Sequence, residues 1–66
     1  MKKTTTDLTI EYIKQHYDIQ KCLQKGLINY SALSRRIRKE LGIEKKTSME
    51  AILVAARRYQ EQLKKN

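Results

Sequence analysis

The sequence predicts an all-α fold: a bundle of four helices with no strand-built wing. Three observations point there. The 66-residue chain contains no proline, so no helix interior is interrupted by a missing amide donor or a ring clash. Its β-branched residues nowhere form an alternating apolar and polar run long enough for a strand. Its two glycines, Gly26 and Gly42, each follow a segment whose apolar residues recur at helical spacing.

A first helix is expected from Leu8 to about Tyr17, capped by Thr6 or Asp7, whose side chains can accept from unpaired first-turn amides. Ile10, Ile13 and Tyr17 form its buried stripe, with Leu8 and Tyr12 beside it. Residues 1–5 read as a flexible polar N-terminus. Asp18 is expected to cap a short second helix from Ile19 to Lys25, burying Ile19, Cys22 and Leu23. Gly26 then closes it in the left-handed conformation, and Leu27 folds back onto Cys22 or Leu23.

A third helix starts at Asn29 or Ser31 and ends near Leu41. Tyr30, Leu33, Ile37 and Leu41 lie on one face, and Gly42 stops it ahead of Ile43. The fourth opens on Thr47-Ser48-Met49-Glu50, a capping-box pattern in which Thr47 caps forward and Glu50 reaches back. It runs to about Lys64. Met49, Ile52, Ala56, Tyr59 and Leu63 recur at alternating three- and four-residue steps, a seam for another helix or for a second copy of the chain.

Length and composition bound what such a bundle can do. A chain this short forms one domain, residues 1–66, with one modest core and little left to wall a deep pocket. Chains of this size often gain stability by oligomerisation, so a homodimer is among the expected partners. Cys22 is the only cysteine, which excludes an internal disulfide and fits a cytoplasmic or nuclear setting. The apolar run at Ile52–Ala56 is far shorter than a membrane span. His16 is the only histidine. No glycine-rich phosphate loop, metal-ligand cluster or acid pair accompanies it, so the expected function is binding, with no catalytic residue, metal or cofactor.

Net charge is +8, with all five arginines in residues 30–66. A positive field concentrated in one half of a short chain attracts polyanions. The same half carries two capped helices separated by a glycine turn, the organisation of a helix-turn-helix, with residues 30–64 as its core. Arg35, Arg36 and Lys39 on the bracing helix, Lys45 and Lys46 at the turn, and Arg57 and Arg58 beyond are expected to contact a nucleic-acid backbone. Thr47, Ser48 and Glu50, at the start of the fourth helix, are the candidates for base or groove contact. The positions Ser48, Met49, Glu50, Ala51 and Val54 include none of Arg, Asn or Gln, the side chains that pair bidentately with base edges.

The stretches Asn29-Tyr30-Ser31-Ala32-Leu33-Ser34-Arg35-Arg36-Ile37, Glu40-Leu41-Gly42-Ile43 and Glu50-Ala51-Ile52-Leu53-Val54-Ala55-Ala56-Arg57-Arg58-Tyr59 resemble the N-terminal helix-turn-helix segment of small archaeal predicted regulators, often coupled to a ligand-sensing domain of ACT type. The resemblance implies a DNA-binding transcriptional regulator, with Arg35, Arg36, Arg57 and Arg58 on the backbone. This chain departs from the general pattern at Arg38, four residues before Gly42, where a small residue usually lets the helices approach, and in a longer turn through Lys46. Nucleic acid, DNA ahead of RNA, is therefore the expected partner of a small regulator or chromosome-associated factor. The rival readings are an RNA- or ribosome-associated protein, and a helical module that docks through the Met49–Leu63 seam.

Overall fold

The computed structural model describes residues 3–42 and 48–65, and every regular element in them is a helix: α1 (Thr5–Gln15), α2 (Tyr17–Gln24), α3 (Tyr30–Glu40) and α4 (Met49–Lys65). The all-α bundle expected from the sequence is what forms. Its boundaries differ where several residues compete to cap. In α1 the cap is Thr4, not Thr6 or Asp7: the Asp7 amide donates to Thr4 Oγ1 (3.1 Å) and the Thr4 amide to Asp7 Oδ2 (3.2 Å). Of three consecutive threonines, Thr4 wins because it alone has an acid three residues on, which completes the reciprocal box. Thr4 and Thr5, read from the sequence as part of a flexible segment, are thereby drawn into α1.

The first helix then ends at Gln15, two residues earlier than expected, with its C-cap His16 in a non-helical conformation (φ −117°, ψ 83°). The break destroys the stripe from Ile10 to Tyr17, because a seven-residue step keeps to one face only along an unbroken helix. Tyr12 and Ile13 are buried, whereas Tyr17 becomes the first residue of α2 and is 66% exposed. Asp18 lies inside α2 and does not cap it; the N-cap is His16, which makes no side-chain cap bond. Turned by the break, α2 buries Ile19 and Leu23 and leaves Cys22 exposed, against the expectation of a buried thiol.

Closure of α2 by Gly26 is a full Schellman motif. The Gly26 amide donates to Leu23 O (3.1 Å), the Leu27 amide to Cys22 O (2.9 Å), and Gly26 sits at φ +75°. The Leu27 side chain does not fold back as expected and is 73% exposed; only its backbone returns. Asn29 caps α3, accepting from the Ala32 amide at 3.1 Å. Gly42 (φ +66°) ends α3, and Ser48 Oγ accepts from the Ala51 amide at 3.2 Å to cap α4. Ser48 holds the position expected of Thr47, which lies outside the described residues together with Ile43, Glu44, Lys45 and Lys46.

The core draws on all four helices: Tyr12 and Ile13, Ile19 and Leu23, Leu33 and Ile37, and Ile52, Ala56 and Tyr59. The longest helix, α4, packs on each of the other three. Small residues are buried on both α3 and α4: Ser34 on the one, Ala55 and Ala56 on the other. The small buried residue on α3 is Ser34, while Arg38 is half-buried. Ser34 Oγ is fully buried with no hydrogen-bond partner among the described residues. Thr9, equally buried, is satisfied by donating to Thr5 O at 2.8 Å.

Removing the orphan hydroxyl by Ser34→Ala should leave stability unchanged or raise it, since a buried unpaired group is costly. Ser34→Leu should cost about 1–3 kcal/mol through overpacking at a fully buried position. Gly26→Ala should cost about 1–2 kcal/mol, because a side chain disfavours the left-handed region; a Cβ there meets Gln60 Nε2 only at an ordinary 3.6 Å. Urea denaturation followed by circular dichroism measures all three.

Candidate nucleic-acid interface

Burial of Leu33, Ser34 and Ile37 decides what α3 shows to solvent. The opposite side carries Ala32, Arg35, Arg36 and Lys39, all exposed, at the i, i+3, i+4, i+7 spacing of a single stripe. A shallow depression on this face is lined by Ala32, Arg35, Arg36, Lys39 and Glu40. Every one of those residues belongs to α3, so it is relief between neighbouring side chains and not a cavity that could enclose a small molecule. A second crevice lies between α2 and α3, bounded by Ile19, Ile28, Asn29, Ala32, Leu33 and Arg36.

One acid borders the basic stripe. Glu40 Oε2 accepts from Arg36 Nε at 2.7 Å and from the Tyr12 hydroxyl at 2.9 Å, tying α3 to α1. The Arg36 hydrogen bond, and then that of Tyr12, hold the Glu40 carboxyl below the usual carboxylate range. Burial, reinforced by Glu40, pushes the Tyr12 hydroxyl up. Below Tyr12 the ring of His16 stacks at 4.1 Å between centroids, and His16 Nδ1–H donates to Tyr12 O at 2.7 Å. The expected isolated histidine is therefore a strut at the α1–α2 junction.

Arg57 on α4 lies over the Tyr30 ring (5.3 Å to the centroid), and the Tyr30 hydroxyl donates to Gln60 Oε1. These contacts place one arginine of α4 beside the first residue of α3. Burial raises the Tyr30 hydroxyl pKa, with Arg57 opposing. Arg58 is exposed on α4, next to the outward row of Glu50, Val54, Arg57 and Glu61. Of the expected backbone contacts, Arg35, Arg36 and Lys39 share one face, while Arg57 and Arg58 lie on a helix whose exposed side also carries acids. Lys45 and Lys46 fall outside the described residues.

Among the candidates for groove contact, Ser48 spends its hydroxyl on the cap and Glu50 is exposed in the first turn of α4. The expected seam is consumed inside the chain. Ile52, Ala56 and Tyr59 are buried core, Leu63 packs against it half-buried, and Met49 is half-buried. Sequence reasoning missed the Tyr12–Glu40 bond, whose partners are 28 residues apart, and the Tyr30–Arg57 stack. It also missed Ser34, a polar residue that shares the Tyr30, Ile37 and Leu41 face by spacing and is buried. Comparison with protein-family models, with curated proteins and with solved structures finds no match.

Glu40→Gln should lower thermal stability at neutral pH, and the gap from wild type should close in acid. A depressed folded-state pKa contributes stability above the unfolded value, ordinarily 4.5, that is lost as pH falls through the folded one. Tyr12 works in the opposite direction: its folded pKa is raised, so stability should decline as pH rises past its ordinary 10.0. Tyr12→Phe should flatten that alkaline limb. Melting temperatures across pH 3–11, read for the three proteins, check both signs.

Proposed function

We propose that the chain is a small nucleic-acid-binding protein of helix-turn-helix type, acting on duplex DNA as a transcriptional regulator or chromosome-associated factor. The observation that carries this reading is the α3 face: Arg35, Arg36 and Lys39 exposed in one stripe, with Glu40 the only acid at its edge among the described residues. Three cations within two helical turns repel one another and only Arg36 has an acidic partner among the described residues, whereas a phosphate backbone supplies counter-charges at that scale. Arg57, held beside Tyr30, extends the positive surface to α4. The resemblance of residues 29–59 to regulator helix-turn-helix segments implies the same partner.

Binding accounts for these residues better than catalysis does. His16 is engaged with Tyr12, and the described residues include no cluster of His, Cys, Asp and Glu able to hold a metal ion. No described helix is long and apolar enough to cross a membrane. A homodimer would have to form through a face other than the Met49–Leu63 seam, because that seam packs within the chain; the same burial weakens the reading as a module that docks through it.

Fluorescence anisotropy with a mixed-sequence DNA duplex should show binding whose log K falls linearly with log salt. Arg35→Gln combined with Lys39→Gln should reduce that slope by about 1.8, the loss of two phosphate contacts. Lys14→Gln on α1 should leave it nearly as it was. Absence of binding at low salt sinks the reading, and a marked preference for structured RNA over the duplex transfers it to an RNA-associated role.

A further inference from the structure

The two helices that present cations are not equivalent, and neither are the turns that lead into them. Along the outward side of α4 run Glu50, Val54, Arg57 and Glu61, exposed and about one turn apart. Laid in a groove, that row would bring carboxylates towards phosphates and base-edge acceptors. The α3 row is Ala32, Arg35, Arg36 and Lys39. Ala32, with Ser31 beside it, keeps the N-terminal half of α3 low, so its backbone can approach a surface while longer side chains reach past it.

The turns separate the helices further. Between the C-cap of α2, Lys25, and the N-cap of α3, Asn29, lie three residues, beginning with Gly26 at φ +75°. That is the length and chemistry of a helix-turn-helix turn. Between the C-cap of α3, Leu41, and Ser48 lie six. Ile28 in the short turn packs against the core, and Ile19 of α2 lines the α2–α3 crevice together with Ala32, Leu33 and Arg36.

We infer that the helix-turn-helix of this chain is α2–turn–α3, that α3 lies in the major groove of duplex DNA, and that Arg35 reads a guanine there. This rests on the nucleic-acid reading above and moves the reading helix from α4, where the sequence pointed, to α3. Arg35 is the cation nearest the N-terminal half of α3, the part of a recognition helix that meets base edges. Its guanidinium makes no hydrogen bond or ion pair with a described residue, and its planar fork matches the O6 and N7 acceptors of guanine. Arg36 is held by Glu40. Lys39 sits towards the C-terminal end and offers a point charge without a fork, so both fall to phosphates.

The test is selection of binding sites from a random duplex DNA pool with the full chain, run on wild type, Arg35→Lys and Val54→Ser. Wild type should enrich a short site containing a guanine. Arg35→Lys keeps the charge but loses the fork and should reduce the preference for that guanine about ten-fold. Val54→Ser, on the outward row of α4, should retain the wild-type site. The inference is overturned if Arg35→Lys keeps the guanine preference, or if Val54→Ser changes the site. It is also overturned if the wild type selects a duplex RNA pool equally well, since the major groove of A-form RNA is too deep and narrow to admit a helix. Salt-dependent binding with no enriched site would end this inference and leave the phosphate-binding function standing. No binding to any duplex would end both.

Discussion

One buried stripe on α4 has to serve three helices at once. Ile52, Ala55, Ala56 and Tyr59 are buried on α4, which packs against α1, α2 and α3. A chain of 66 residues cannot build a second core to share the task. The stripe must therefore be small where a helix comes close and large where a gap has to be filled. Ala55 and Ala56 are the small members of the buried stripe, and Ile52 and Tyr59 the large ones. The orphan hydroxyl of Ser34 fits this constraint, since the side chain is close in volume to alanine and fully buried.

Fixing α3 on α4 in this way sets the electrostatics. With Leu33, Ser34 and Ile37 inward, Arg35, Arg36 and Lys39 have nowhere to go but outward, all on one side. The geometry of α4 differs. Its exposed side has Glu50 and Glu61 among the arginines, so their charge is partly offset along its length. Net charge of +8 thus describes the molecule poorly. The useful description is one helix face dense in cations beside another of mixed sign, and only the first makes a continuous track for a polyanion.

Much of the fold was legible because it depends on local chemistry. Gly26 and Gly42 both take positive φ and both end helices, which only a residue without a Cβ does cheaply. The α1–α2 break was not legible: His16 supplies no side-chain cap, and the apolar spacing through Tyr17 runs on as if the helix continued. That single break explains why Tyr17 and Cys22 face solvent. For the site, the cations themselves were legible and their grouping was not. Arg36 and Glu40 are four apart and can be paired on paper; Tyr12 reaches the same carboxylate from another helix, which no spacing rule reports. The low acid content of the α3 face, compared with α4, emerges only once the inward residues of both helices are known.

Glu40 at the edge of a cationic face looks like a conflict, and its geometry resolves it. The Arg36–Glu40 pair is solvent-exposed, with about half of each side chain accessible (56% and 44%). Exposed pairs of this kind stabilise by only about 0–1 kcal/mol, so a phosphate can take Arg36 at small cost. When it does, Glu40 is not stranded: the Tyr12 hydroxyl still donates to it and water reaches it. Under the proposed function, the carboxylate would also position the Arg36 side chain and limit the conformational entropy lost on capture. Placed at the rim and not within the stripe, the acid also leaves Arg35 and Lys39 without a competing partner among the described residues. The Arg36–Glu40 pair thus offsets part of the repulsion along the stripe while leaving Arg36 exposed.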